Sequence, residues 1–257
     1  MRDDIKFDFD FYEIILSTLK NNFLFCPFSK AIEIINHNNP KPYVLLRHDV
    51  DLDIEHALKF ARIEAEAGVK SCYMIMTNSP FYNLHDDLSK SIIRELISLG
   101  HEIGLHFDFQ NNSHRNNYTT IEKIEEDIER ECKLLEEIIG AETQTISFHR
   151  PLRNFLNGPF LIRGKVNAYS AELMKWYLSD SKGNWREGNP LPALQNPIEN
   201  ILQLLIHPIW WDEKHLPASD RLQIFFERRT KDFNTEERNN FDNILSSYLT
   251  VQRSERI

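Results

Sequence analysis

The segment Tyr43-Val44-Leu45-Leu46-Arg47-His48-Asp49-Val50-Asp51 decides how this chain folds. An apolar run leads straight into ionisable residues, the pattern of a buried parallel strand whose C-terminal end opens on a site. Asp49 and Asp51 are two positions apart, so on a strand they share a face, and His48 points to the other. Two like charges side by side are unfavourable unless a cation lies between them or one stays protonated. A metal ion resolves the conflict, with one carboxylate as ligand and the other free to act as a base. The competing structural reading is a helix N-cap. Asp51 or Asp53 would then cap the helix that the spacing predicts over Ile54–Ala67, a role worth about 1 kcal/mol.

Working outward, the pattern alternates. A strand is predicted over Ser71–Met76, a helix over Leu88–Leu99 ended by Gly100, and a strand over His101–Phe107. A long charged helix over Thr119–Ile139 ends at Gly140, and a strand follows over Thr145–Phe148. Strands alternating with helices predict parallel βαβ units with right-handed crossovers. Ahead of them, Asp10–Leu19 reads as an N-terminal helix, and Pro40 and Pro42 break the chain. The first 150 residues or so therefore make half of a β/α barrel or an open parallel sheet. Beyond Pro151 the pattern loosens. Asn154–Gly158 and Ser181–Pro192 read as loops, Ile201–Ile206 as a late strand, and Asp220–Tyr248 as a charged helical tail. No repeat or linker composition is visible, so the whole chain, 1–257, reads as a single domain with a motif-bearing core of about 43–211.

Composition narrows the function classes. A net charge of −9 over 257 residues argues against nucleic acid or an anionic membrane surface, which require a basic footprint. Cys26, Cys72 and Cys132 are widely spaced and odd in number, so neither a disulfide framework nor a cysteine zinc site is expected. The sequence shows no export signal and no transmembrane run, so the expectation is a cytoplasmic protein. It carries no signal for oligomeric state.

In parallel β/α folds the chemistry collects where strands end. Here the first strand ends in Arg47–Asp51, the third in His106-Phe107-Asp108, the fourth in His149-Arg150-Pro151 and the late one in His207-Pro208. His106 is the best imidazole partner for Asp51 at a metal. His101 opens its strand, at the opposite rim, and reads as structural. His48 reads as packing or as a partner behind the site. His85, His114 and His215 read as surface histidines.

Together these residues resemble the polysaccharide deacetylase superfamily, that is, the NodB-homology proteins of the carbohydrate esterase family 4 type. Its aspartate motif is matched by Arg47-His48-Asp49-Val50-Asp51. Its histidine motif is matched by Gly100-His101-Glu102-Ile103-Gly104-Leu105-His106, and its Arg-Pro motif by His149-Arg150-Pro151. An Asp- and Trp-containing motif corresponds to Ser179-Asp180-Ser181 with Trp185, and the Leu-x-His strand end to Leu205-Ile206-His207. Two departures stand out. Val50 separates aspartates that are adjacent in the family, and Gln110 replaces a second histidine expected four residues after His106. The third metal ligand is therefore assigned to His149, with Asp108 as the alternative.

The resemblance implies a distorted (β/α) barrel with an N-terminal helix and a C-terminal helical tail. It implies a divalent metal, Zn2+ first, on Asp51, His106 and His149. It also implies Asp49 as general base held by Arg150, and His207 as general acid. Trp210, Trp211, Tyr73 and Phe107 could face a sugar ring, with core packing the competing reading for Tyr73 and Phe107. The implied function is N-deacetylation of an N-acetylated sugar, in surface polysaccharide or glycoconjugate biosynthesis. Hydrolysis of another small amide, or non-catalytic carbohydrate binding, are the alternatives.

Overall fold

Side-chain parity on one strand organises the molecule. In a computed structural model, which describes residues 5–37, 39–109, 120–232, 235, 238 and 239, strand β2 runs over Tyr43–Val50. Before it come helix α1 (Phe9–Asn22), strand β1 (Leu24–Phe25) and the short helix α2 (Ala31–Ile34). After it come α3 (Ile54–Glu66), β3 (Cys72–Ile75), α4 (Asp87–Ser98), β4 (Glu102–Asp108), α5 (Ile121–Ile139) and β5 (Thr145–His149). Four short or late elements follow the Arg150-Pro151 turn. They are β6 (Leu161–Ile162), β7 (Lys165–Asn167), β8 (Tyr177–Ser179) and α6 (Leu191–Gln195), and strand β9 (Ile201–Ile206) comes after them. The predicted alternation up to β5 and the late strand are all present. Strands β6 to β8, only two or three residues long, fall beyond Pro151, where the sequence pattern loosens and no element was expected, because so short a run shows no periodicity.

The sheet order is β6-β7-β5-β4-β3-β2-β9-β8, with β1 beside the start of β2. All pairs are parallel except β6 with β7. The sheet curls strongly. Strand β5 lies three strands from β2, roughly 14 Å in a flat sheet, yet His149 at its end reaches Asp51 just past β2. From the other side, Gln203 of β9 donates to the carbonyls of Ala168 and Leu173, which follow β7. The architecture is a distorted (β/α) barrel.

Two apolar layers result. Outward-facing Val44, Leu46 and Val50 of β2 pack with residues of α1, α3 and α4. Inward-facing Leu45, Cys72, Met74, Val166 and Leu173 fill the barrel interior. Gly104 of β4 stands where any Cβ would run into the Met74 sulfur and the Thr145 carbonyl, so glycine is required there.

A buried polar cluster locks the parity of β2. Glu64 of α3, fully buried, accepts hydrogen bonds from Tyr12 of α1, from Ser71 at 2.6 Å and from Tyr73 at 2.8 Å, and pairs with His48 Nε2 at 2.6 Å. His101 lies 3.6 Å away. A one-residue slip of β2 would turn His48 away from this carboxylate and put Arg47 and Asp49 in the apolar outer layer. The expectation that His48 packs behind the site and His101 is structural agrees with this arrangement.

The chain divides into two compact units, Met1–His215 and Leu216–Ile257. In the second, residues 218–232 are helical; most of the rest of the expected tail lies outside the described residues. Among the described residues, no helix is long and apolar enough to cross a membrane.

Candidate functional site

Strand ends bring the site together. Asp51, immediately after β2, places Oδ1 at 2.9 Å from His106 Nε2 of β4 and at 3.1 Å from His149 Nδ1 of β5. One donor atom from each of the three lies within 4.8 Å of the others. An imidazole–imidazole–carboxylate set suits a borderline divalent ion such as zinc. His106 Nδ1 lies 2.6 Å from the Ser147 hydroxyl, which orients the ring and favours the tautomer with Nε2 toward the cluster. These residues fit a metal. Asp108, the alternative third ligand, is buried but is not in this group. Gln110 and His114 lie outside the described residues.

Burial opposes ionisation of Asp51, but the hydrogen bonds from His106 and His149 outweigh it and hold the carboxyl far below the ordinary carboxylate range. Burial likewise opposes protonation of His149, and Asp51 reverses this, raising the imidazole above its ordinary value.

The N-cap question is settled by Asp53, whose Oδ1 accepts from the amides of Glu55 and His56 at the start of α3. Asp51 is left to the site.

Asp49 points inward one level below Asp51. The guanidinium beside it is not the expected one. Arg47, on the same strand, donates to Asp49 Oδ2 at 3.1 Å, whereas Arg150 sits on the exposed rim of the cavity above. Arg47 also donates to Gln203 Oε1 at 2.9 Å and lies 4.5 Å from the ring centre of Tyr169. Burial would lower the Arg47 pKa, but Asp49 more than offsets it. The other Asp49 oxygen, Oδ1, is buried and has no hydrogen-bond partner among the described residues.

His207 follows β9. Its Nδ1 lies 2.7 Å from Asp180 Oδ1, and its Nε2 lies 4.0 Å from Asp51 Oδ2. Asp180 is completely buried and also accepts from the His207 amide at 3.0 Å and from the Trp211 indole at 2.7 Å. Burial alone would lower the pKa of His207, but Asp180 pushes it up to about 9. Trp211, not Trp185, is thus the tryptophan that partners the aspartate of the fourth motif. Trp211, Tyr73 and Phe107 are fully buried in the outer layer, so packing is their role, and only Trp210 of the four proposed aromatic faces lines the cavity.

Two residues went unassigned in the sequence. Ser147 shares strand parity with His149, and that alone could have flagged it. Arg47 shares parity with Asp49 and Asp51, but an inward-facing arginine in an apolar strand is so unusual that its partner could not be guessed.

Asp49, Asp51, His106, His149, Tyr169 and His207 are among the residues that line one cavity of about 630 Å³.

No family model matches the chain, and no curated protein matches it. Among solved structures it is similar to a CE4 esterase from Streptococcus mutans, at 15% identity over 83% of this chain and 88% of that one, with a TM-score of 0.46. An acetyl xylan esterase of family 4 from Clostridium thermocellum, in complex with a cobalt ion, matches at 16% identity over 74% and 84%, with a TM-score of 0.37. A mutant of a CE4 family pseudoenzyme with restored enzymatic activity matches at 13% identity over 76% of this chain, with a TM-score of 0.40. This chain spans 65% of that protein's length. In structure, the chain is similar to family 4 carbohydrate esterases, the group that its strand-end motifs resemble.

Proposed function

We propose that this protein hydrolyses the N-acetyl amide of a sugar, with a divalent ion, Zn2+ first, held by Asp51, His106 and His149. The carrying observation is the division of labour at Asp49: Arg47 occupies one carboxylate oxygen, and the other is bare and buried beside the three-donor cluster.

When bound, the ion would supply Lewis acidity to the acyl carbonyl and to water. Asp49 Oδ1 accepts the proton of the attacking water, and Arg47 fixes the carboxylate in place while that proton moves. His207 turns Nε2 to the cavity because Nδ1 is held by Asp180, and it delivers a proton to the leaving nitrogen. An amine is a poor leaving group unprotonated, so an imidazolium backed by a buried carboxylate suits an amide. Ser147 orients His106. Arg150, at the rim, contacts substrate in this reading and does not hold the base. A non-catalytic sugar binder would have no use for a base and an acid arranged in this way. The reaction fits a step in assembling a surface polysaccharide or glycoconjugate.

The test is acetate release from a panel of N-acetyl sugars by metal-loaded protein, beside D49N. The variant is expected to keep its metal stoichiometry and lose at least 100-fold in kcat. Wild-type turnover in D49N would show that Asp49 is not the base.

A further inference from the structure

The cavity wall is far more cationic than the protein. Among the described residues, its acidic and basic lining consists of Asp49 and Asp51 at the floor, the histidines, and three cations: Arg150 after β5, and Lys182 and Arg186 after β8. Of the two carboxylates, Asp49 is already paired with Arg47, and Asp51 belongs to the proposed metal cluster. Among the described residues, no carboxylate other than these two lines the cavity. Among the described residues, Lys182 and Arg186 form no ion pair, although acidic residues outnumber basic ones 39 to 30 in the chain. All three cations are exposed, so their charge faces the solvent from which a substrate arrives.

The backbone supports a built wall. Four non-glycine residues among those described have left-handed φ, and three of them, Arg150, Asn157 and Lys182, line this cavity. Such conformations are unfavourable, persist only where the surroundings impose them, and cluster at ligand sites.

The geometry points to an anionic substrate: an N-acylated sugar that carries a phosphate or a carboxylate, with the acyl group at the floor and the anion against Lys182, Arg186 and Arg150. This inference rests on the proposed hydrolase reading of the same cavity. Arginine and lysine together suit phosphate or carboxylate oxygens, and a cation-lined cleft in an acidic protein concentrates anions locally.

The test compares kcat/KM for N-acetylglucosamine, N-acetylglucosamine 1-phosphate, UDP-N-acetylglucosamine and N-acetylmuramic acid, which separates phosphate from carboxylate. At least one charged substrate is expected to exceed the neutral sugar tenfold or more, with the preference shrinking as salt rises. The K182A/R186A protein is expected to lose at least tenfold of that preference, through KM. Equal efficiency on charged and neutral sugars, or an unchanged preference in K182A/R186A, would overturn the inference. If no sugar releases acetate, the hydrolase reading fails, and calorimetry with UDP-N-acetylglucosamine then decides the anion site on its own. Binding that weakens tenfold or more in K182A/R186A upholds the site. Absence of binding, or equal binding in the variant, overturns it.

Discussion

Arg47 Nη2 lies 3.1 Å from Asp49 Oδ2, two residues further along the same strand, and neither side chain is exposed to solvent by more than 3%. The pair is the electrostatic floor of the barrel, shared with Gln203 and Tyr169. Removing the cation leaves a buried carboxylate uncompensated. R47M is therefore expected to lose about 3–5 kcal/mol of stability in urea titrations, together with most of the activity. R150A, at the exposed rim, is expected to stay within about 1 kcal/mol of wild type. Equal stability losses in the two would show that Arg47 and Arg150 share the task.

Asp180 holds the His207 tautomer. D180N should lower kcat by roughly 10²–10⁴-fold, as when the carboxylate behind a catalytic imidazole is neutralised, with a smaller effect on KM. Asp180 raises the His207 pKa to about 9. A general acid must be protonated, so activity falls as pH rises through its pKa, and in D180N that alkaline fall moves to lower pH. A pH–rate profile with the same alkaline limb in both proteins would remove His207 from the acid role.

Metal binding separates ligands from supports. H106A and H149A should each lose the ion in elemental analysis after dialysis, while S147A should keep it with roughly 10–100-fold weaker affinity in chelator competition, the usual effect of removing an orienting partner. Full metal content in H149A would transfer the third ligand to another residue, Asp108 first.

The Glu64 cluster sets an acid limit on stability. Burial would raise its pKa, but His48, His101 and Ser71 pull it down to about 2, against an ordinary 4.5. A depressed carboxylate contributes stability that is complete above pH 4.5 and is lost as pH falls through about 2. The difference is worth about 3 kcal/mol. Buried His101 has a lowered pKa, chiefly through burial, so its share is complete above pH 6.5 and declines below it. Calorimetric melting of E64Q should show a lower Tm at pH 7 and a shallower fall between pH 4.5 and 2. Parallel pH curves for the two proteins would contradict this.

The order of parallel units, the inward face of β2 and the strand-end placement of Asp49, Asp51, His106, His149 and His207 were legible in the sequence. Each depends on a local rule: alternation along a strand, glycine after a helix, polar residues where apolar runs stop. What only the tertiary structure decided is which strand ends meet. Curling carries His149 across three strands to Asp51, the pairing of β8 with β9 sets Asp180 beside His207, and Asp49 goes to Arg47, where the sequence had pointed to Arg150. Strands β6, β7 and β8 are too short for any period to show, and they are shaped by the edges they pair with. Which strand ends meet depends on distances between strands far apart in the chain, and side-chain alternation carries no information about those.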